Sequence, residues 1–129
     1  MTRPSLFLLI ACFALPHAGQ AQTIFPSIRE AVKSGNASQV ATYFNNAIHL
    51  NIDGEIGTYS KAKAEVVLRE FFKKHAPTDF TIVHTGTSRG GLQFAIGLYT
   101  CGPERFDVLM RVREVEKTHL IHELSFAKD

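Results

Sequence analysis

HTGTSRGGLQFAIG, residues His84 to Gly97, crowds four glycines, three hydroxyls and an arginine around the run GTSRGG. Two readings compete: a loop that cradles a phosphate, or a corner where one strand turns back into the next. A phosphate cradle needs a strand that ends, backbone N–H groups that converge, and a helix whose positive end faces the anion. Here the run lies between two strand patterns, FTIVHTGTS (Phe80 to Ser88) and LQFAIGLYTC (Leu92 to Cys101). The dinucleotide spacing is absent, and so is the lysine-hydroxyl pair of the P-loop. Gly90 and Gly91 are therefore read as the φ-permissive residues of a hairpin.

Working outward, two more strand patterns follow, RFDVLMRVREV (Arg105 to Val115) and HLIHELSFA (His119 to Ala127). The connections RGG, GPE and EKT are hairpin-sized, which predicts an antiparallel meander, with Pro103 suited to the second position of its turn. Upstream, TIFPSIREAVKSG reads as a helix with Pro26 in its first turn, Phe25, Ile28, Ala31 and Val32 on one side, and Gly35 as its stop. Asn36 caps a second short helix striped by Val40, Ala41 and Phe44. AIHLNID then alternates like a half-buried strand, and DGEIG breaks it. Ser60 caps the clearest helix, KAKAEVVLREFFKKHA, with Ala64, Val67, Leu68, Phe71 and His75 on one side. Glu65/Arg69 and Glu70/Lys74 are its supporting pairs, and Pro77 ends it.

The start of the chain carries a different message. Arg3, an apolar run from Leu6 to Leu15, Pro16, and small residues at Gly19 and Ala21 have the layout of a secretory leader cut after Ala21. The run is shorter than the roughly 20 apolar residues that span a bilayer, so an exported, periplasmic or extracellular protein without a stable membrane anchor is expected. LIAC, ending at Cys12, also matches a lipoprotein cleavage site, but only six apolar residues precede the cysteine and the run continues past it. Residues 22–129 then make one domain. The net charge of +2 for the whole chain falls to +1 without Arg3 and predicts no nucleic-acid partner. Cys101 is the one cysteine beyond the leader, so no internal disulfide is expected, and the plainer reading makes it a buried small apolar residue.

The order helix, helix, strand, helix and four strands predicts an α+β fold, a curved antiparallel sheet packed on three N-terminal helices. The apolar registers expected to face inward are Phe80, Ile82 and His84; Leu92, Phe94, Ile96 and Leu98; Phe106, Val108, Met110 and Val112; and Leu120, His122, Leu124 and Phe126. This arrangement resembles the nuclear-transport-factor-2-like cone, the superfamily that also contains ketosteroid isomerase and scytalone dehydratase. More narrowly, GTYSKAKAEVVLREFF, HTGTSRGGLQFAIG and the closing IHELSF resemble a bacterial family of short exported proteins, domain of unknown function 4783. The resemblance implies a fold and an envelope location, and it carries over no site and no activity.

On that expectation the cone interior is lined by Phe94, Phe106 and Met110 with His84, His122 and Tyr59, a lining suited to a small apolar ligand. His84 and His122 are the candidates for acid–base catalysis, Tyr59 or Ser60 the orienting hydroxyl, and Asp53 or Glu55 the nearest carboxylates. The plainer reading is a pair of buried, hydrogen-bonded histidines. No cofactor motif is present. No metal site is expected either, because His119 and His122, three apart on a strand, point to opposite faces. Cys101 is assigned to the outward register. Outward too are Arg105, Asp107, Arg111 and Arg113, with Val83, Ala95, Tyr99, Leu109 and Ile121 forming an apolar convex patch. Cones of the resembled superfamily commonly dimerise through that side, so a homodimer is expected there. Two functions compete: a non-catalytic ligand-binding or protein-interaction module, and a small isomerase-like or dehydratase-like enzyme that needs an open cavity.

Overall fold

A computed structural model describes residues 24–129. The expected leader, with Cys12, lies outside the described residues. Helix α1 (Ile24–Lys33) buries Phe25, Ile28, Ala31 and Val32, the four positions that share one side at helical spacing. Gly35 follows it at φ 68°, the left-handed conformation that a helix stop needs. In α2 (Ala37–Ala41) the Asn36 side chain accepts from the Gln39 N–H at 3.1 Å, the expected cap. Phe44, assigned to this helix by its spacing, instead opens the first strand and is buried there.

The sheet holds six strands in the order β2-β1-β6-β5-β4-β3. These are β1 (Phe44–Ile52), β2 (Glu55–Ser60), β3 (Asp79–Thr87), β4 (Gln93–Cys101), β5 (Glu104–Val115) and β6 (Thr118–Lys128). Strand β2 corrects the sequence reading, in which this segment was only a break. Asp53 and Gly54, at φ 51° and 93°, make a two-residue turn, and EIGTYS pairs back on β1. A second correction concerns the edge of the meander. β1 runs parallel to β6, with Leu50 opposite Leu124 and Ile52 opposite Phe126, so the sheet is mixed. Parallel pairing needs a crossover, and α3 (Lys61–Lys74) with the meander supplies it.

The three hairpins form where expected. Arg89–Gly91 make a tight 3-10 turn with Gly90 and Gly91 both at φ 78°, so the opening stretch is a corner between β3 and β4. In the four-residue β4–β5 turn from Cys101 to Glu104, Gly102, at φ 60°, takes the second position and Pro103 the third, one place later than expected. The reason is that the turn needs its positive φ first, which only the glycine supplies cheaply.

Helix α3 starts at Ser60, whose Oγ accepts from the Lys63 N–H at 3.2 Å, and buries Ala64, Leu68, Phe71 and Phe72 against the sheet. Glu65 pairs with Arg69 as expected, whereas Glu70 pairs with Lys73, at 3.7 Å, in place of Lys74. Phe71 is the hub of the interior, with ring centroids 4.7 Å from Phe126, 5.2 Å from Phe106 and 5.6 Å from Tyr99. Phe72 stacks on Tyr99 at 6.1 Å, and Phe80 closes the far side of Tyr99 at 6.4 Å. Such rings each contribute about 1.5–3 kcal/mol by burial, and their tilted and edge-on contacts add to that. The cone is filled, not hollow, along this axis.

Three registers depart from expectation. In β4 the inward residues are Ala95, Gly97, Tyr99 and Cys101, and Phe94, Ile96 and Leu98 face out. This strand is apolar at both parities, so its partner decides: Phe106, Val108 and Met110 of β5 lie opposite Tyr99, Gly97 and Ala95. In β3 a bulge between Ile82 and His84 turns His84 outward, opposite Ile96. In β6 a bulge at His122 lets Ile121 face inward opposite Val112, while Leu120 falls opposite Arg113 and Leu124 and Phe126 stay buried. Ala95, Tyr99 and Ile121 therefore leave the expected convex patch and join the core.

Candidate functional site

Four elements end at one corner of the cone, beneath the C-terminus of α3. His75, the last residue of the α3 turn, has its N–H on the Phe71 carbonyl at 2.8 Å, and its own carbonyl accepts from the Tyr99 hydroxyl. Its ring lies between Phe71 and Phe106, with centroids at 5.0 and 5.1 Å. Cys101 ends β4 and Glu104 begins β5, held together by the two-residue turn between them. Lys128 arrives on β6, with its backbone N–H donating to Asp53 Oδ1 at 3.3 Å.

The side chains converge. His75 Nδ1 lies 2.8 Å from Glu104 Oε1, and Cys101 Sγ lies 3.5 Å from the same oxygen and 4.0 Å from His75 Nδ1. Lys128 Nζ takes the other carboxylate oxygen, Oε2, at 2.8 Å. Cys101 is 8% exposed, and His75 and Glu104 are half-buried at the rim. The Lys128 ammonium, followed by the hydrogen bond from His75, holds the Glu104 carboxyl down at about 2. Burial, followed by the hydrogen bond to Glu104, pushes the Cys101 thiol up, so at neutral pH it is a thiol that donates to the carboxylate.

This chemistry is not that of an activated nucleophile. A thiol, base and orienting carboxylate use both nitrogens of the imidazole in turn. Here the sulfur and the carboxylate both address Nδ1. What the corner does offer is one sulfur, one nitrogen and one oxygen donor, all within 4.8 Å of one another. Beside it runs a groove of about 390 Å³ between α3 and the β1–β2 hairpin, floored by Ile52, Val67 and Phe71 and rimmed by Asp53, Lys74 and His75.

The residues singled out from sequence are not gathered in one place. His84 is exposed on the outer face of β3, 5.8 Å from the Phe94 ring. Phe94 lies across Gly86, where an added Cβ would sit 2.6 Å from its ring. His122 is half-buried at the β6 bulge, and its Nε2 is buried with no partner among the described residues. Burial, then the Arg113 guanidinium, lowers its pKa. Phe106 and Met110 are inward but packed solid, and Tyr59 is half-buried on the edge strand β2. The expectation that these six share an interior cavity is corrected by the two bulges and the β4 parity. Cys101, assigned outward, faces in.

The cluster was missed because its members stand at positions 75, 101, 104 and 128, each read in a different element. One local signal existed: CGPE brackets a two-residue turn, and such a turn brings the side chains of its first and last residues together.

Comparison with known proteins places the fold. Among curated proteins none matches the chain. A crystal structure of a DUF4783 family protein from Bacteroides uniformis superposes with TM-score 0.76 at 26% identity, covering 81% of this chain and 95% of that one. One from Bacteroides ovatus gives 0.74 at 26% identity, covering 79% and 92%. An NTF2-like protein of unknown function from Shewanella baltica gives 0.66 at 11% identity, covering 90% and 98%, a likeness of fold alone. The three helices and six-stranded mixed sheet are thus an NTF2-like α+β cone. With the family model described as domain of unknown function DUF4783 matching residues 25–127, the chain belongs to that family.

Proposed function

We propose that this is an exported, non-catalytic interaction module whose working surface is the outer face of the sheet and whose partner there is a second copy of the chain. The observation that carries the reading is the division of apolar surface. The interior is filled by Phe71, Phe72, Tyr99, Phe106 and Phe126, while Phe94, Ile96, Leu98 and Leu109 lie outward on adjacent strands beside the exposed Val83. Apolar side chains clustered on one face favour burial against a partner. The charges around the strip favour self-association: Arg105, Arg111 and Arg113 share the face with Asp107 and Glu123, and Arg111 already spans to Glu123 at 3.1 Å. In a two-fold interface residue i of one copy meets residue j of the other and the reverse, so a surface that carries both signs has cations and carboxylates with which to pair across it. The export part of the reading rests on the leader-like segment Arg3 to Ala21.

The test is the mass in solution. Light scattering coupled to gel filtration is expected to give two chains at high micromolar concentration, and Ile96→Glu is expected to give one. A parent mass of one chain under those conditions removes the homodimer. A small-ligand reading draws support from the groove beside α3, floored by apolar residues. The isomerase-like or dehydratase-like alternative has less behind it, since His84 is exposed on β3 and His122 sits at the β6 bulge, neither of them lining the groove beside α3.

A further inference from the structure

We propose that His75, Cys101 and Glu104 form a binding site for one zinc-class transition-metal ion. The inference stands on geometry and donor chemistry, and it does not rest on the interaction surface proposed above. Tetrahedral zinc has bonds of about 2.3 Å to sulfur and about 2.0–2.2 Å to nitrogen and oxygen, which sets ligand-to-ligand edges of about 3.6 Å for S···N and S···O and about 3.4 Å for N···O. The distances here are 4.0 Å from Cys101 Sγ to His75 Nδ1, 3.5 Å from Sγ to Glu104 Oε1 and 2.8 Å from Nδ1 to Oε1. Rotations that move atoms by about half an ångström bring all three onto the edges of one tetrahedral face. The shortest edge is the one now occupied by a hydrogen, and a larger cation in its place opens it.

The surroundings suit this role. A ligating carboxylate is usually fixed by a further hydrogen bond, and Lys128 Nζ already holds Oε2, while Oε1, which accepts from His75 and Cys101, is the oxygen that ligates once their hydrogens leave. A ligating imidazole needs a fixed ring, and Phe71 and Phe106 flank His75 while Tyr99 pins its carbonyl. On binding, the Cys101 S–H bond breaks, its proton leaves to solvent, and the sulfur electron pair forms the bond to the metal. Before binding, the hydrogen between His75 Nδ1 and Glu104 Oε1 sits on Nδ1; on binding that proton too leaves to solvent, the neutral ring keeps its hydrogen on Nε2, and the freed Nδ1 pair forms the bond to the metal. Thiolate and carboxylate together balance the charge of a divalent ion. One sulfur, one imidazole and a single carboxylate exclude calcium and magnesium, which demand oxygen ligands. Because His75 and Glu104 are half-exposed, the fourth position opens to solvent, the arrangement of a site that holds water or an external ligand.

Cobalt(II) is the probe, titrated anaerobically into the reduced, purified protein. The expected result is one equivalent bound, with a thiolate-to-metal charge-transfer band and the visible bands of a four-coordinate ion, both abolished by an equivalent of zinc and untouched by excess magnesium or calcium. Cys101→Ser is expected to lose the charge-transfer band. Glu104→Gln and His75→Gln are expected to bind more weakly by more than about 100-fold, beyond what loss of a supporting partner alone costs. Far-ultraviolet circular dichroism checks that each variant is folded. Should Cys101→Ser fail to fold, Glu104→Gln at the rim carries the same comparison. Absence of the charge-transfer band in the parent protein, or wild-type cobalt affinity in folded Cys101→Ser or Glu104→Gln, overturns the site.

Discussion

Replacing Tyr99 by phenylalanine removes one oxygen from the centre of the molecule and leaves everything else in place. Tyr99 is fully buried, its ring packed among Phe71, Phe72, Phe80, Phe106 and Phe126, and its hydroxyl donates to the carbonyl of His75 at the end of α3. Burial pushes the phenol up, so it stays protonated and donating throughout the range in which the protein is handled. The ring contacts survive Tyr99→Phe, and the hydroxyl's own desolvation cost is recovered. What is lost is a hydrogen bond with a net worth of about 1 kcal/mol, and a carbonyl that no longer reaches this donor costs about 1–3 kcal/mol where it stays dry. That carbonyl is only partly buried, so the expected loss is about 1–2 kcal/mol. At about 4–8 °C per kcal/mol for a domain of this size, the melting temperature should fall by about 4–16 °C. Tyr59→Phe is the internal control. Its hydroxyl has no partner among the described residues, and the same change there should stay within about 0.5 kcal/mol. Thermal unfolding by circular dichroism reads both. If Tyr99→Phe melts with Tyr59→Phe and the parent, the tie between α3 and β4 contributes nothing and the argument for it is refuted.

Gly97→Ala places a methyl 2.7 Å from the Phe80 ring and 2.8 Å from the Thr81 carbonyl oxygen, and a backbone oxygen cannot swing aside. The expected loss, read by urea denaturation, is about 1–3 kcal/mol, against which a neutral or stabilising result would count. His122 supplies a pH dependence with a definite sign. Its folded pKa is held below the usual 6.5 by burial and then by Arg113, so the unfolded chain takes up a proton that the folded one resists. Its contribution is fully present above 6.5 and is lost as pH falls through that value toward the lowered folded pKa. His122→Gln should flatten the fall in denaturation midpoint over that window, and parallel curves for variant and parent would contradict the assignment.

Much of this architecture is written locally. The Asn36 and Ser60 caps, the stripes of α1 and α3, the glycine hairpin at Gly90 and Gly91, and the single-parity strand β5 all rest on contacts within a few residues or within one ladder. Such features are readable because period, cap and turn residue state the same conformation independently. Strand β2 was within reach, since Asp53-Gly54 is a strong hairpin signal, but EIGTYS is short and carries little apolar pattern.

The amino-acid sequence by itself determined the order of helices and strands apart from β2, the three hairpins of the meander and the helical faces that turn inward. Only the tertiary structure decided which face of β4 is buried, because LQFAIGLYTC is apolar at both parities and the choice belongs to Phe106, Val108 and Met110 across the ladder. The parallel join of β1 to β6, the bulge that turns His84 outward and the bulge at His122 are likewise pairing events between distant segments. The corner of His75, Cys101, Glu104 and Lys128 exists for the same reason: four chain segments that share no local signal are brought within hydrogen-bond reach only when the sheet closes beneath α3.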